Sequence, residues 1–105
     1  SKLQMLTLTT QKPILKSNIL TGLTIRRYES FHSCPSYAKL TSTQEQTNLQ
    51  NKGIHILFKQ AEDGSIILGD SHEYVQANRQ ADFGFEISSE INEMMLQEAK
   101  KIIDF

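Results

Sequence analysis

Ile54-His-Ile-Leu-Phe-Lys-Gln60, Ala61-Glu-Asp-Gly64, Ser65-Ile-Ile-Leu-Gly69: two β-rich runs flank an Asp-Gly pair. Asp-Gly tolerates the backbone of a tight turn, so the stretch reads as a β-hairpin. Upstream, Lys2 to Thr9 alternates and is rich in Leu, Met and Thr, the pattern of a strand. Gln11-Lys-Pro13 ends it, because proline offers no ladder donor. Leu20 to Tyr28 reads as another strand, with Leu23 and Ile25 on one face, Arg26 and Tyr28 on the other, and Gly22 as a place for a bulge. Glu29 to Ser36 is polar and irregular. Ser36 to Gln50 has few apolar anchors; its first half reads as helix in a mostly exposed segment.

Downstream of the hairpin, Ser71 to Phe85 reads as a long connection of mixed polarity. From Ser88 the period becomes helical: Ile87, Ile91, Met94, Met95, Ala99, Ile102 and Ile103 recur at steps of three and four and form one apolar face. Ser88 or Ser89 can cap the first amides, Glu90 suits the positive end of the dipole, and Lys100 and Lys101 the negative end. Lys101-Ile-Ile-Asp-Phe105 continues the helical pattern. Together these elements predict an α+β fold: a mostly antiparallel or mixed sheet of about four strands with one or two helices on one face.

The chain has 105 residues, a net charge of −1 and 38% hydrophobic residues, which suits a single domain over 1–105 with a modest core. Mixed charge leaves no basic footprint for nucleic acid and no polybasic membrane patch. No apolar run approaches the roughly 20 residues that span a bilayer. Cys34 is the single cysteine, so no internal disulfide forms; that suits the reducing cytoplasm, and a lone thiol reads first as a small buried hydrophobe. Ser1 opens directly into a strand pattern and Phe105 closes on a helical one, the expectation for a domain excised from a longer chain.

Chemistry-bearing residues are few. The five glycines are isolated, with no Gly-x-Gly-x-x-Gly or Walker pattern. His32, His55, His72 and Cys34 are the soft ligands, but only His32-Ser-Cys34 forms a close pair, so no metal site is expected. Ser36-Tyr-Ala-Lys39 matches Ser-x-x-Lys without its companion motifs, and Ser36 reads as the start of a helix. Arg26 and Tyr28 on one strand face could hold one anion, or be a solvated edge. Ser71 and His72 are neighbours; if the strand continues through them they point to opposite faces and cannot form a nucleophile–base pair. Gly69-Asp-Ser-His-Glu-Tyr74 nevertheless closes a hairpin strand, where His72 could donate a hydrogen bond or a proton, or be part of a polar strand end.

Lys2-Leu-Gln-Met5, Gly22-Leu-Thr-Ile-Arg-Arg-Tyr28, Cys34-Pro-Ser36, Gly53-Ile-His-Ile56 and Gly69-Asp-Ser-His-Glu-Tyr74 resemble, in this order, segments of the D-amino-acid-oxidase superfamily, which includes glycine oxidase and sarcosine oxidase. They are most similar to a bacterial branch of FAD-dependent oxidoreductases linked with aminophosphonate breakdown. The resemblance covers nearly the whole chain but only the substrate-side insert of that family, without its flavin-binding segments. It implies that the intact enzyme passes a hydride from a C–N bond to FAD, that the imine then hydrolyses, and that this part positions the amine, amino acid or aminophosphonate beside a flavin domain of the same chain. By itself it would be colourless and inactive. The family's substrate-facing positions fall near Ile56 or Phe58 and near Ser71 or His72. Relatives often carry tyrosine on the first hairpin strand; Phe58 lacks the hydroxyl, and Arg26 with Tyr28 would then supply the anion contact. No residue is assigned a catalytic role. The competing expectation is a stand-alone α+β binding module without flavin, self-associating through a sheet edge or the Met94–Met95 helix face.

Overall fold

Gly64 has φ of 87°, a region that costs glycine little, and this lets Ala61–Ser65 close as a turn, with the Ala61 amide donating to the Ser65 carbonyl at 2.8 Å. The Asp63 carboxylate accepts from the Ser65 amide at 2.9 Å and hydroxyl at 2.6 Å. These bonds hold the Asp63 carboxyl below its ordinary pKa. The turn joins two antiparallel strands. The computed structural model describes residues 1–9, 12–40, 44–74 and 84–105. In it the strands are β1 (Lys2–Leu8), β2 (Ile19–Leu20), β3 (Leu57–Gln60) and β4 (Ile66–Glu73), and the helices α1 (Gly22–Ile25), α2 (Tyr37–Leu40), α3 (Gln44–Asn51) and α4 (Ser89–Lys100), with a 3₁₀ turn at Glu29–Phe31. The strands form one sheet in the order β1-β4-β3-β2, each pair antiparallel. The α+β expectation holds.

Strand alternation sorts side chains onto two faces. Phe58, Ile66 and Leu68 point to one and are fully buried with Ile56, which precedes β3. Helix α4 lays Ile91, Met95, Ala99 and, just beyond its end, Ile103 on them. The Ser88 side chain accepts from the Ile91 amide at 3.3 Å and so caps α4. Gln4 of β1 clasps the same cap: its Oε1 accepts from the Ser88 amide at 3.0 Å and its Nε2 donates to the Ser88 carbonyl at 2.8 Å. Gln60 similarly ties the segment before β2 to the hairpin, accepting from the Ile14 and Leu15 amides and donating to the Lys12 and Gly64 carbonyls.

Helix α3 ends in two bonds that define a glycine-terminated helix: Gly53 N–H to the Gln50 carbonyl at 2.9 Å, and Ile54 N–H to the Leu49 carbonyl at 2.9 Å. Gly53 takes the required left-handed backbone at φ 59°, and Leu49 and Ile54 are both buried, the apolar contact that accompanies this motif. The chain therefore enters β3 with Ile54 and Ile56 in the core and His55 between them on the opposite face.

Several expectations are corrected. Leu20–Tyr28 is not one strand: it pairs only at Ile19–Leu20, then Thr24, Arg27 and Tyr28 donate to the Thr21, Thr24 and Ile25 carbonyls in helical turns. The Thr21 amide and the Thr24 hydroxyl both go to the Ile56 carbonyl, so packing beneath the sheet overrides the β-rich composition. Gly22 opens α1 and marks no bulge. Helix occupies the second half of Ser36–Gln50 as well as the first. Strand β4 continues to Glu73, so the connection expected from Ser71 begins later; positions 75–83 lie outside the described residues. Helix α4 stops at Lys100, and Ile87 (72% exposed) and Ile102 (47%) are off its buried face. Met95 is fully buried in the chain's own core, which leaves no free Met94–Met95 face for self-association. Cys34 is exposed, not buried. Among the described residues no helix is long and apolar enough to cross a membrane.

Candidate functional site

A break in register builds the site. Gln4 pairs with Ser71, but Met5 pairs with Gly69, so Asp70 is one extra residue on β4. Such a bulge changes the parity of every side chain beyond it. Gly69 faces away from α4, against the Met5 side chain. Without the bulge Ser71 would face the same way and His72 the core. With it, Ser71 turns inward and is fully buried, while Asp70 and His72 both reach the face opposite α4. The peptide bond between Gly69 and Asp70 is cis.

His55 meets them there. Its amide and carbonyl exchange bonds with Asp70, at 3.0 and 2.7 Å, which extends the β3–β4 ladder by one pair. Its Nε2 lies 2.8 Å from Asp70 Oδ1, and His72 Nδ1 lies 3.8 Å from the same oxygen. The two imidazoles stack with centroids 5.2 Å apart, and His72 stacks on Tyr74 at 5.9 Å, over which Arg27 sits at 5.4 Å. Gly53 presses on His72 from the far side: a Cβ there would lie 2.5 Å from the His72 carbonyl oxygen. Burial pushes the His72 imidazole below its ordinary pKa; Asp70 and the Gly53 backbone oppose this, and Arg27 and His55 push the same way as burial. At neutral pH His72 is therefore a neutral ring able to accept a proton.

A cleft of about 150 Å³ opens beside the cluster, lined by Leu23, Arg26, Arg27, Gly53, His55 and Tyr74 among others. A larger cavity of about 250 Å³, bounded by Leu23, Arg26, Ile56, Glu98 and Lys101, lies on the α4 side, away from the imidazoles. Arg26 borders both. Burial lowers its pKa, and the charge of Glu98 counteracts this.

The five candidate residues do not converge. His72 is in the cluster and Arg26 lines the adjoining cleft. Tyr28, expected to share a strand face with Arg26, is half exposed beyond α1 and lines neither cavity. Phe58 is buried under the sheet, as is Ile56, so neither faces the open side. Ser71 is buried with its hydroxyl unpartnered. Asp70, His55, Arg27 and Tyr74 complete the site; none of them is among the expected substrate-binding residues, and His55 enters the sequence reading only as a soft ligand without a close partner. The signal for them is Asp70-x-His72 on one strand opposite a lone His55 on its hairpin partner. A search for ligand pairs close in sequence misses it.

The chain matches no family model, no curated protein and no solved structure.

The described residues do not form a dinucleotide-type seat for FAD. The described sheet is antiparallel throughout, and among the described residues no glycine-rich turn leads from a parallel strand into a helix to cradle a pyrophosphate. Two imidazoles and a carboxylate at one strand end, beside an arginine-lined cleft, are instead equipped to bind an anion, hold a proton or ligate a metal ion.

Proposed function

We propose that this chain is the substrate-binding domain of a FAD-dependent oxidoreductase that oxidises the C–N bond of an amine, amino acid or aminophosphonate. The flavin is held by a separate flavin-binding domain of the same polypeptide. The observation that carries the reading is the position of Gly69-Asp-Ser-His-Glu-Tyr74, the string most similar to that superfamily. It ends the central hairpin on the sheet face opposite α4, at the mouth of the cleft lined by Arg26 and Arg27. On the same face Leu3, Met5 and Leu20 are 52%, 51% and 64% exposed, an apolar surface that a second domain would cover.

In this reading the two arginines draw the substrate's carboxylate or phosphonate into the cleft. His72, kept neutral by burial, accepts a proton from the amine, and Asp70 steadies the imidazolium that forms. FAD supplies the hydride acceptor when bound elsewhere. A single cysteine, exposed and without a disulfide partner, agrees with a cytoplasmic enzyme.

A second reading, a stand-alone binding module, draws on the core that α4 and the sheet complete within this chain. The visible spectrum of the complete native reading frame decides between them. The oxidoreductase reading expects a yellow protein that bleaches anaerobically with an amine or N-substituted amino acid, beside a colourless 105-residue chain. A complete frame no longer than this chain, or a colourless longer protein, overturns it in favour of the module.

A further inference from the structure

The cluster contains an electrostatic conflict. His55 Nδ1 lies 3.3 Å from the Gly53 carbonyl oxygen. In the tautomer that donates this bond, Nε2 carries a lone pair, and that lone pair is 2.8 Å from Asp70 Oδ1. Two lone pairs so close repel unless a cation lies between them. A proton or a metal ion at Nε2 would relieve this, and Asp70 Oδ1 is buried with no hydrogen-bond partner besides that contact. His72 Nδ1, on the other side of the same oxygen, is likewise buried and unpartnered. A buried polar atom left without a partner costs stability. Here two such atoms, Asp70 Oδ1 and His72 Nδ1, converge with His55 Nε2.

We propose that His55 Nε2, Asp70 Oδ1 and His72 Nδ1 ligate a divalent transition-metal ion of the zinc type. One ligand atom from each residue lies within 4.8 Å of the others. Bonds of about 2.0–2.2 Å in tetrahedral array place ligand atoms about 3.4 Å apart. The 2.8 and 3.8 Å separations lie on either side of that value, and the third lies within 4.8 Å. Two imidazoles and one carboxylate favour zinc, cobalt or iron(II) over calcium or magnesium, which prefer oxygen alone. The Gly53 carbonyl on His55 Nδ1 is the kind of outer bond that orients a ligating imidazole. Arg27, over Tyr74, is the nearby positive charge that opposes the ion. Three protein ligands leave a coordination position open for water or an anion, and His55 lines the neighbouring 150 Å³ cleft. This site does not depend on the oxidoreductase reading; it uses the same His72 and Asp70 atoms, so a bound ion takes the place of the proton-acceptor role given to His72 there.

The test uses the 105-residue chain freed of metal by a chelator and titrated with Co²⁺, whose visible absorption reports tetrahedral ligation, followed by displacement with Zn²⁺. The expected result is one equivalent of cobalt bound and then displaced by zinc. Asp70→Asn and His72→Gln, close in size to the native residues and checked for folding by circular dichroism, should weaken binding about 100-fold or more, beyond the about 10–100-fold typical of losing an outer partner. His32→Ala and Cys34→Ser should leave it unchanged, and Arg27→Gln should tighten it several-fold. No saturable uptake by folded protein overturns the proposal. So does uptake that survives both ligand variants or disappears with His32→Ala.

Discussion

The two faces of the sheet are made from the same four strands and differ in almost everything else. Beneath, Ile56, Phe58, Ile66 and Leu68 meet Ile91, Met95 and Ala99 of α4, and all are fully buried. Above, Leu3, Met5 and Leu20 are exposed, and the surface ends in His55, Asp70 and His72. The lower face holds the fold together and carries no chemistry. The upper one contributes little to stability and gathers the imidazoles and the carboxylate that can hold a proton or a metal ion. A single extra residue, Asp70, separates the two roles, because it sends Ser71 inward and His72 outward.

The largest way to break that contrast is Phe58→Ala. It should cost about 3–5 kcal/mol, as for buried aromatics in general, which in a chain of this size abolishes the cooperative thermal transition. Met5→Ser, on the upper face, should stay within about 0.5 kcal/mol in the same melt. Gly53→Ala comes next. It forces a side chain into a left-handed backbone and against the His72 carbonyl, so denaturant unfolding should show a loss of about 1–3 kcal/mol. Ser88→Ala removes the cap of α4 and should cost about 1 kcal/mol.

The hairpin, β1 and the helix from Ser88 were legible because each carries a local signal: Asp63-Gly64, period-two alternation, and apolar residues every three or four positions. The run Leu20–Tyr28 misled because its composition suits a strand while its partner does not. After Leu20 the Ile56 carbonyl is taken by Thr21 and Thr24, and the chain turns under the sheet. The site was legible only in part. His72 and Arg26 stood out by residue type, but Asp70 reaches His55 through cross-strand register and a bulge, and neither leaves a mark in a window of neighbouring residues. Phe58 shows the converse: the family resemblance implies a substrate-facing position there, and strand parity puts its side chain in the core.

The smallest effect is a pH dependence confined to the upper face. The folded pKa of His72 lies below its unfolded value near 6.5, so below that value the unfolded chain binds the extra proton. The contribution to stability is complete above about pH 6.5 and is lost as pH falls through the folded pKa. Thermal melts between about pH 7.5 and 5 in chelator should show this decline, and His72→Gln should flatten it.

The central claim, that the upper end of β4 is where substrate meets the protein, is tested most directly in the complete reading frame with His72→Gln. Anaerobic flavin reduction by an amine substrate is followed in a stopped-flow spectrometer. The account predicts equal flavin content in both proteins and reduction slowed about 100-fold or more in the variant, as expected for loss of a proton acceptor. Equal reduction rates would contradict it and move the substrate away from this face of the sheet.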